Sequence, residues 1–131
     1  MIEFGHLSHV GLRRELNEDT YYGDAELGLW LVADGMGGHD SGEVASALAR
    51  DAIVREVRAG KPLAEAILRA NEDIIRQSKR RNESMPMGTT VVAVRVAPNH
   101  RFELAWVGDS RAYLWNGKLQ QVSSDHSYVQ E

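Results

Sequence analysis

A carboxylate followed by bare backbone is where chemistry could begin in this sequence. Asp34-Gly35-Met36-Gly37-Gly38-His39-Asp40-Ser41-Gly42-Glu43 lies between an apolar run, Leu29 to Ala33, and a helical pattern. The apolar run reads as a buried strand that stops at Asp34. The glycines after it let the backbone turn sharply and offer carbonyls and amides to a ligand. Oxygen donors at a strand end suit a hard divalent cation, Mg²⁺ or Mn²⁺, which keeps several waters. The plainer reading is a glycine-rich connection whose aspartate caps the following helix.

Other acidic residues fall at strand ends or in turns: Glu18 and Asp19 in Arg14-Glu15-Leu16-Asn17-Glu18-Asp19, and Asp109 in Gly108-Asp109-Ser110. If the strands pair as expected, these ends converge on one sheet edge. Carboxylates gathered without basic partners raise each other's pKa unless a cation joins them. A dinuclear site resolves that repulsion, activates a water and neutralises a phosphoryl group. Taken singly, Glu18-Asp19 also reads as a solvated turn, and Asp109-Ser110 as ordinary turn chemistry. Arg14 carries a fork of donors suited to phosphate, or is a solvated neighbour of Arg13. The chain has no cysteine, so attack through a thiolate is excluded. No G-x-x-x-x-G-K-[ST] loop, D-x-D-x-T run or H-E-x-x-H helix offers another route to hydrolysis.

The elements that must position these residues follow from periodicity. Residues 4–11 read as a first strand, and Thr20-Tyr21-Tyr22 and Leu27 to Ala33 as two more, separated by the turn Gly23-Asp24-Ala25-Glu26. From Glu43, Val44, Leu48 and Ala52, beside Ala45, Ala49, Ile53 and Val57, form a helical stripe that Gly60 ends. Pro62 opens a second helix with Leu63, Ile67, Ala70 and Ile74 inward. Thr89 to Val96, rich in β-branched residues, reads as a strand covered on both faces. Phe102, Leu104 and Trp106 alternate in the next strand. Arg111 to Trp115 and Lys118 to Val122 flank Asn116-Gly117, a hairpin signal. Ser123 to Ser127 reads as a helix entry, with Tyr128, Val129 and Gln130 as its first turn. A chain stopping there is expected to be the N-terminal portion of something longer. The pattern implies an antiparallel sheet with two helices on one face.

Composition sets the class. With 131 residues, 43% hydrophobic and 26% charged, the chain fits one globular domain. A net charge of −4 and the lack of a basic, aromatic-interleaved face argue against nucleic acid as a partner. The basic cluster Lys79-Arg80-Arg81 closes a helical pattern, where cations suit the dipole. No apolar run approaches the roughly 20 residues of a membrane helix. Met1-Ile2-Glu3-Phe4 lacks a basic n-region, and the missing cysteines are compatible with a cytoplasmic setting, which is the expected one.

Five segments then occur in order: R-E-L-N-E-D (Arg14 to Asp19), D-G-M-G-G-H-D-S-G-E-V-A-S (Asp34 to Ser46), G-T-T-V-V (Gly88 to Val92), V-G-D-S-R-A-Y-L (Val107 to Leu114) and S-D-H-S (Ser124 to Ser127). Together they resemble the metal-dependent protein serine/threonine phosphatases of the type 2C class, in their bacterial form. The resemblance implies an α+β fold, a β-sandwich of two antiparallel sheets flanked by paired helices. Residues 1–131 would be a partial phosphatase domain, about its N-terminal half, without the flap and C-terminal strands. It implies that Asp34 bridges two Mn²⁺ or Mg²⁺ ions and that the Gly35 carbonyl ligates one. Glu18 and Asp19 would hold waters on the metals, Arg14 would grip the phosphate, and Asp109 would help form a weaker third metal site. The resemblance further implies that a bridging water would attack phosphorus in line, without a phosphoenzyme. The implied partners are phosphorylated proteins and the serine/threonine kinase that makes them.

Two departures qualify the resemblance. Met36 stands where some members carry a histidine proposed as general acid. The two later aspartates that complete the first metal site in the family are missing here, so the isolated chain is expected to be inactive. Open sheet edges would also remain, which pairing of two copies would cover. The alternative function is a catalytically incomplete phosphatase-like regulatory or binding module.

Overall fold

The computed structural model describes residues 19–37, 40–81, 87–97, 101–109, 111–123 and 128–130. The strand expected over 4–11 lies outside them. β1 (Asp19–Asp24) and β2 (Leu29–Met36) form an antiparallel hairpin in which Thr20 faces Ala33 and Asp24 faces Leu29. The Asp24 carboxylate closes the turn, accepting the N–H groups of Glu26 at 3.0 Å and Leu27 at 3.1 Å. The Leu27 N–H above all, helped by the Tyr22 hydroxyl, the Glu26 N–H and Arg58, holds the Asp24 carboxyl below the usual carboxylate range, against a smaller opposing effect of desolvation.

Side chains alternate along β2, as a half-covered strand requires. Leu29, Leu31 and Ala33 are buried beneath the helices, whereas Val32 and Met36 are exposed and Asp34 is half-buried on the other face. β2 pairs next with β4 (Val91–Val96), Leu31 opposite Ala93 and Val32 opposite Val92. It pairs also with β3 (Gly88–Thr89), where Gly35 faces Thr89 and Met36 faces Gly88. β4 pairs with β5 (Phe102–Val107), which extends the sheet to the order β1-β2-β4-β5.

α1 (Ser41–Arg58) and α2 (Leu63–Arg81) cover one face of this sheet. Ala45, Ala49, Ala52 and Ile53 of α1 are buried with Leu63, Ala66, Ala70 and Ile74 of α2. Small residues on α1 let it close on both the sheet and α2. The half-buried Val44, Leu48 and Ile67 flank that centre. The connection turns at Gly60, whose φ of 86° favours glycine.

On the other face, Val92, Leu104 and Trp106 form a second cluster with Val94, Ala112 and Val122. The last two flank a hairpin of β6 (Tyr113–Trp115) and β7 (Leu119–Gln121), turned at Gly117 with φ 99°. Val91, Val92 and Ala93 are therefore covered on both sides, as the β-branched run predicted. The described architecture is α+β with antiparallel sheets, two helices on one side and a small hairpin on the other.

Several expectations change. β2 runs on to Met36 instead of stopping at Asp34, and Gly23 and Asp24 belong to β1, so the turn falls at 25–28. The strand expected from Thr89 to Val96 divides at Thr90 into β3 and β4. Tyr128–Gln130 is strand β8 rather than a helical turn, with Ala105 opposite Val129 and Trp106 opposite Tyr128. The edge of β5 offers a ready ladder to β-favouring Tyr and Val, whereas one helical turn lies below the nucleation length. The Ser123 hydroxyl, expected near a helix start, accepts the Ala112 N–H at 3.0 Å and ties the hairpin instead.

Candidate metal centre

Asp34 lies inside β2, six residues before the Asp40 that precedes α1, so it does not cap that helix. Its cross-strand partner on β1 is Asp19. Directly opposite residues project from the same face of a sheet, so two carboxylates share the side turned away from the helices. Two unit charges about 5 Å apart repel by about 1 kcal/mol in bulk water and by roughly 3 kcal/mol at an effective dielectric near about 20. Asp19 is exposed and Asp34 half-buried. An oxygen-only donor pair of this kind fits a hard divalent cation, which would turn repulsion into attraction.

The neighbouring backbone is held closely. The Asp34 carbonyl accepts the Thr90 N–H at 2.9 Å. The Asp34 N–H donates to the Thr90 hydroxyl oxygen at 3.1 Å. At Gly35 a Cβ would lie 1.8 Å from the Gly42 carbonyl oxygen, so only glycine lets the first turn of α1 pack against the end of β2. Asp40 pairs with Arg81 and draws the end of α2 to the start of α1.

Asp109 follows β5 one residue after Gly108, whose φ is 100°. A Cβ on Gly108 would lie 2.6 Å from Thr90 Cγ2, so the turn carrying Asp109 rests on the residue bonded to Asp34. Asp19 and Asp34 thus stand face to face, and Asp109 is exposed in the turn that packs on Thr90. Among the described residues no three His, Asp or Glu side chains gather at one point. Arg14, Glu18 and His39 lie outside the described residues. Thr90, which bonds the Asp34 backbone, does not stand out in the sequence, because a threonine ahead of Val91-Val92 reads as strand material. Its signal was the Gly88-Thr89-Thr90 run itself, hydroxyls behind a glycine where a β-branched strand begins.

The family model described as protein phosphatase 2C matches residues 11–131. The chain belongs to the protein phosphatase 2C family. Serine/threonine protein phosphatase PstP of Mycobacterium tuberculosis is 38% identical over 137 residues, covering 99% of this chain and 26% of the relative. Serine/threonine phosphatase stp of Listeria monocytogenes is 38% identical over 112 residues, 77% of this chain and 44% of the relative. The crystal structure of the PstP catalytic domain in complex with two manganese ions superposes with a TM-score of 0.80 at 38% identity, over 91% of this chain and 54% of that one. The chain therefore spans about a quarter to a half of the lengths of these protein phosphatase 2C relatives. Among the described residues of this family member, no helix is long and apolar enough to cross a membrane.

Proposed function

We propose that the protein hydrolyses phosphoserine and phosphothreonine in proteins, using two divalent cations at the margin formed by Asp19 and Asp34. The observation that carries this reading is the register that sets those carboxylates face to face, where an oxygen-binding cation relieves their repulsion. Bound there, Mn²⁺ or Mg²⁺ would activate a water and neutralise the phosphoryl oxygens. Mn²⁺ is the ion in the PstP structure. Asp34 and the Gly35 carbonyl are assigned as direct ligands, Glu18 and Asp19 as anchors of the surrounding waters, and Asp109 as a contributor to a third, weaker site.

Arg14 is assigned to the substrate phosphate, where a bidentate guanidinium both binds and orients it. Met36 faces the same side as Asp34 with 57% of its surface exposed, and its thioether has no proton to give. The leaving serine oxygen must take its proton from water or another neighbouring group. The isolated chain is expected to turn over little, because one facing pair supplies few carboxylates for two ions. Residues 1–131 are read as part of one phosphatase domain, acting in a cytoplasmic signalling setting opposite a serine/threonine kinase. Self-association of the chain would cover its apolar far face.

The test is manganese-dependent hydrolysis of an aryl phosphate by the intact protein. Asp34→Asn should abolish it, and unchanged turnover in that variant overturns the role given to Asp34.

A further inference from the structure

We propose that Thr90 is a positioning residue for the carboxylate margin, holding the Asp34 backbone through its hydroxyl, while its methyl only fills the space under the turn that carries Asp109. The proposal rests on the metal-site reading above. In an antiparallel ladder every second opposed pair exchanges both N–H···O=C bonds, and the bond from the Thr90 N–H marks Asp34 and Thr90 as such a pair. Thr90 keeps one of these, donating its N–H to the Asp34 carbonyl at 2.9 Å. For the other it substitutes its side chain: the Asp34 N–H donates to Thr90 Oγ1 at 3.1 Å. The displaced Thr90 carbonyl accepts the Thr89 hydroxyl at 2.8 Å. That exchange of acceptors is why the strand divides at Thr90, although β3 and β4 face β2 in one continuous register.

The hydroxyl is held in turn. It also reaches the Asp34 carbonyl oxygen at 3.4 Å, and Thr90 is only 8% exposed, so water does not compete freely for the Asp34 N–H. On its other side, Thr90 Cγ2 occupies the space into which a side chain at Gly108 would grow, 2.6 Å from that Cβ position. One small residue therefore contacts the backbone at Asp34 and the turn that carries Asp109. Groups that orient metal ligands without touching the metal commonly change affinity by roughly 10- to 100-fold when removed.

The two ends of Thr90 are separable by substitution. Thr90→Val keeps the branched shape against Gly108 and removes the hydroxyl; Thr90→Ser keeps the hydroxyl and removes the methyl. Mn²⁺ affinity of the intact protein would be measured by electron paramagnetic resonance, with Asp34→Asn as reference. Amide hydrogen exchange at Asp34 would be followed in parallel by nuclear magnetic resonance. Thr90→Val should weaken Mn²⁺ binding about 10- to 100-fold and speed exchange at Asp34, whereas Thr90→Ser should stay within about threefold of wild type for both. Wild-type affinity in Thr90→Val overturns the role of Thr90 while leaving the metal reading intact. Should Thr90→Val not fold, loss of Mn²⁺ binding in a folded Thr90→Ser protein overturns it equally. Equal Mn²⁺ binding by wild type and Asp34→Asn overturns the metal reading, and the proposal with it.

Discussion

Asp34 faces a second carboxylate across the sheet, so metal-dependent stability should respond to its loss far more than metal-free stability. Asp34→Asn removes one of two like charges. Without metal its stability should stay within about 1 kcal/mol of wild type. With Mn²⁺ at about 100 times the dissociation constant, wild type should gain about 2.7 kcal/mol and the variant almost nothing. Thermal unfolding with and without Mn²⁺ measures both. Gly35 lies under a different constraint: its missing side chain is the space taken by the Gly42 carbonyl. Gly35→Ala should therefore destabilise by roughly 1–3 kcal/mol or more, read from urea denaturation. The strand that carries Asp34 and the turn after it were legible in the sequence because an apolar run gives way there to glycines. Thr90 was not, because its part depends on which strand lies beside it, and pairing is a long-range property.

At the scale of elements, the hairpin between β1 and β2 sets the opposition of Asp19 and Asp34, and Asp24 closes that hairpin. Its carboxyl pKa is lowered in the folded state, chiefly by the Leu27 N–H. The carboxylate thus contributes stability above the ordinary carboxylate pKa, and that contribution fades as pH falls through the lower folded value. Asp24→Asn should lower stability at neutral pH and flatten this acid limb, as followed by denaturation across pH. The helices were legible because apolar spacing of three and four persists over both, and Ile53 sits where it predicts, fully buried against the sheet. Ile53→Ala should cost about 2–5 kcal/mol, measured by chemical denaturation. The end of the chain was misread because three residues carry no period. Whether Tyr128–Gln130 coils or extends is decided by the open edge of β5.

For the whole molecule, the two sheet faces differ. Helices cover one, while on the other Val32 is 48% exposed, with Tyr21 and Met36 exposed beside it. Apolar surface of this kind favours association. The 131-residue chain should sediment as larger species with rising concentration, and Val32→Lys should reduce that tendency; a wild-type chain that stays monomeric at high concentration contradicts this. The central claim, that the margin at Asp19 and Asp34 holds the catalytic cations, is tested most directly by titrating Mn²⁺ into the ¹⁵N-labelled intact protein. Paramagnetic broadening should erase the amide signals of Asp19, Asp34, Gly35 and Thr90 first and leave Arg69 of α2 sharp. Broadening that begins instead at the acidic residues of α2, Glu72 and Asp73, or that spreads evenly over the chain, contradicts it.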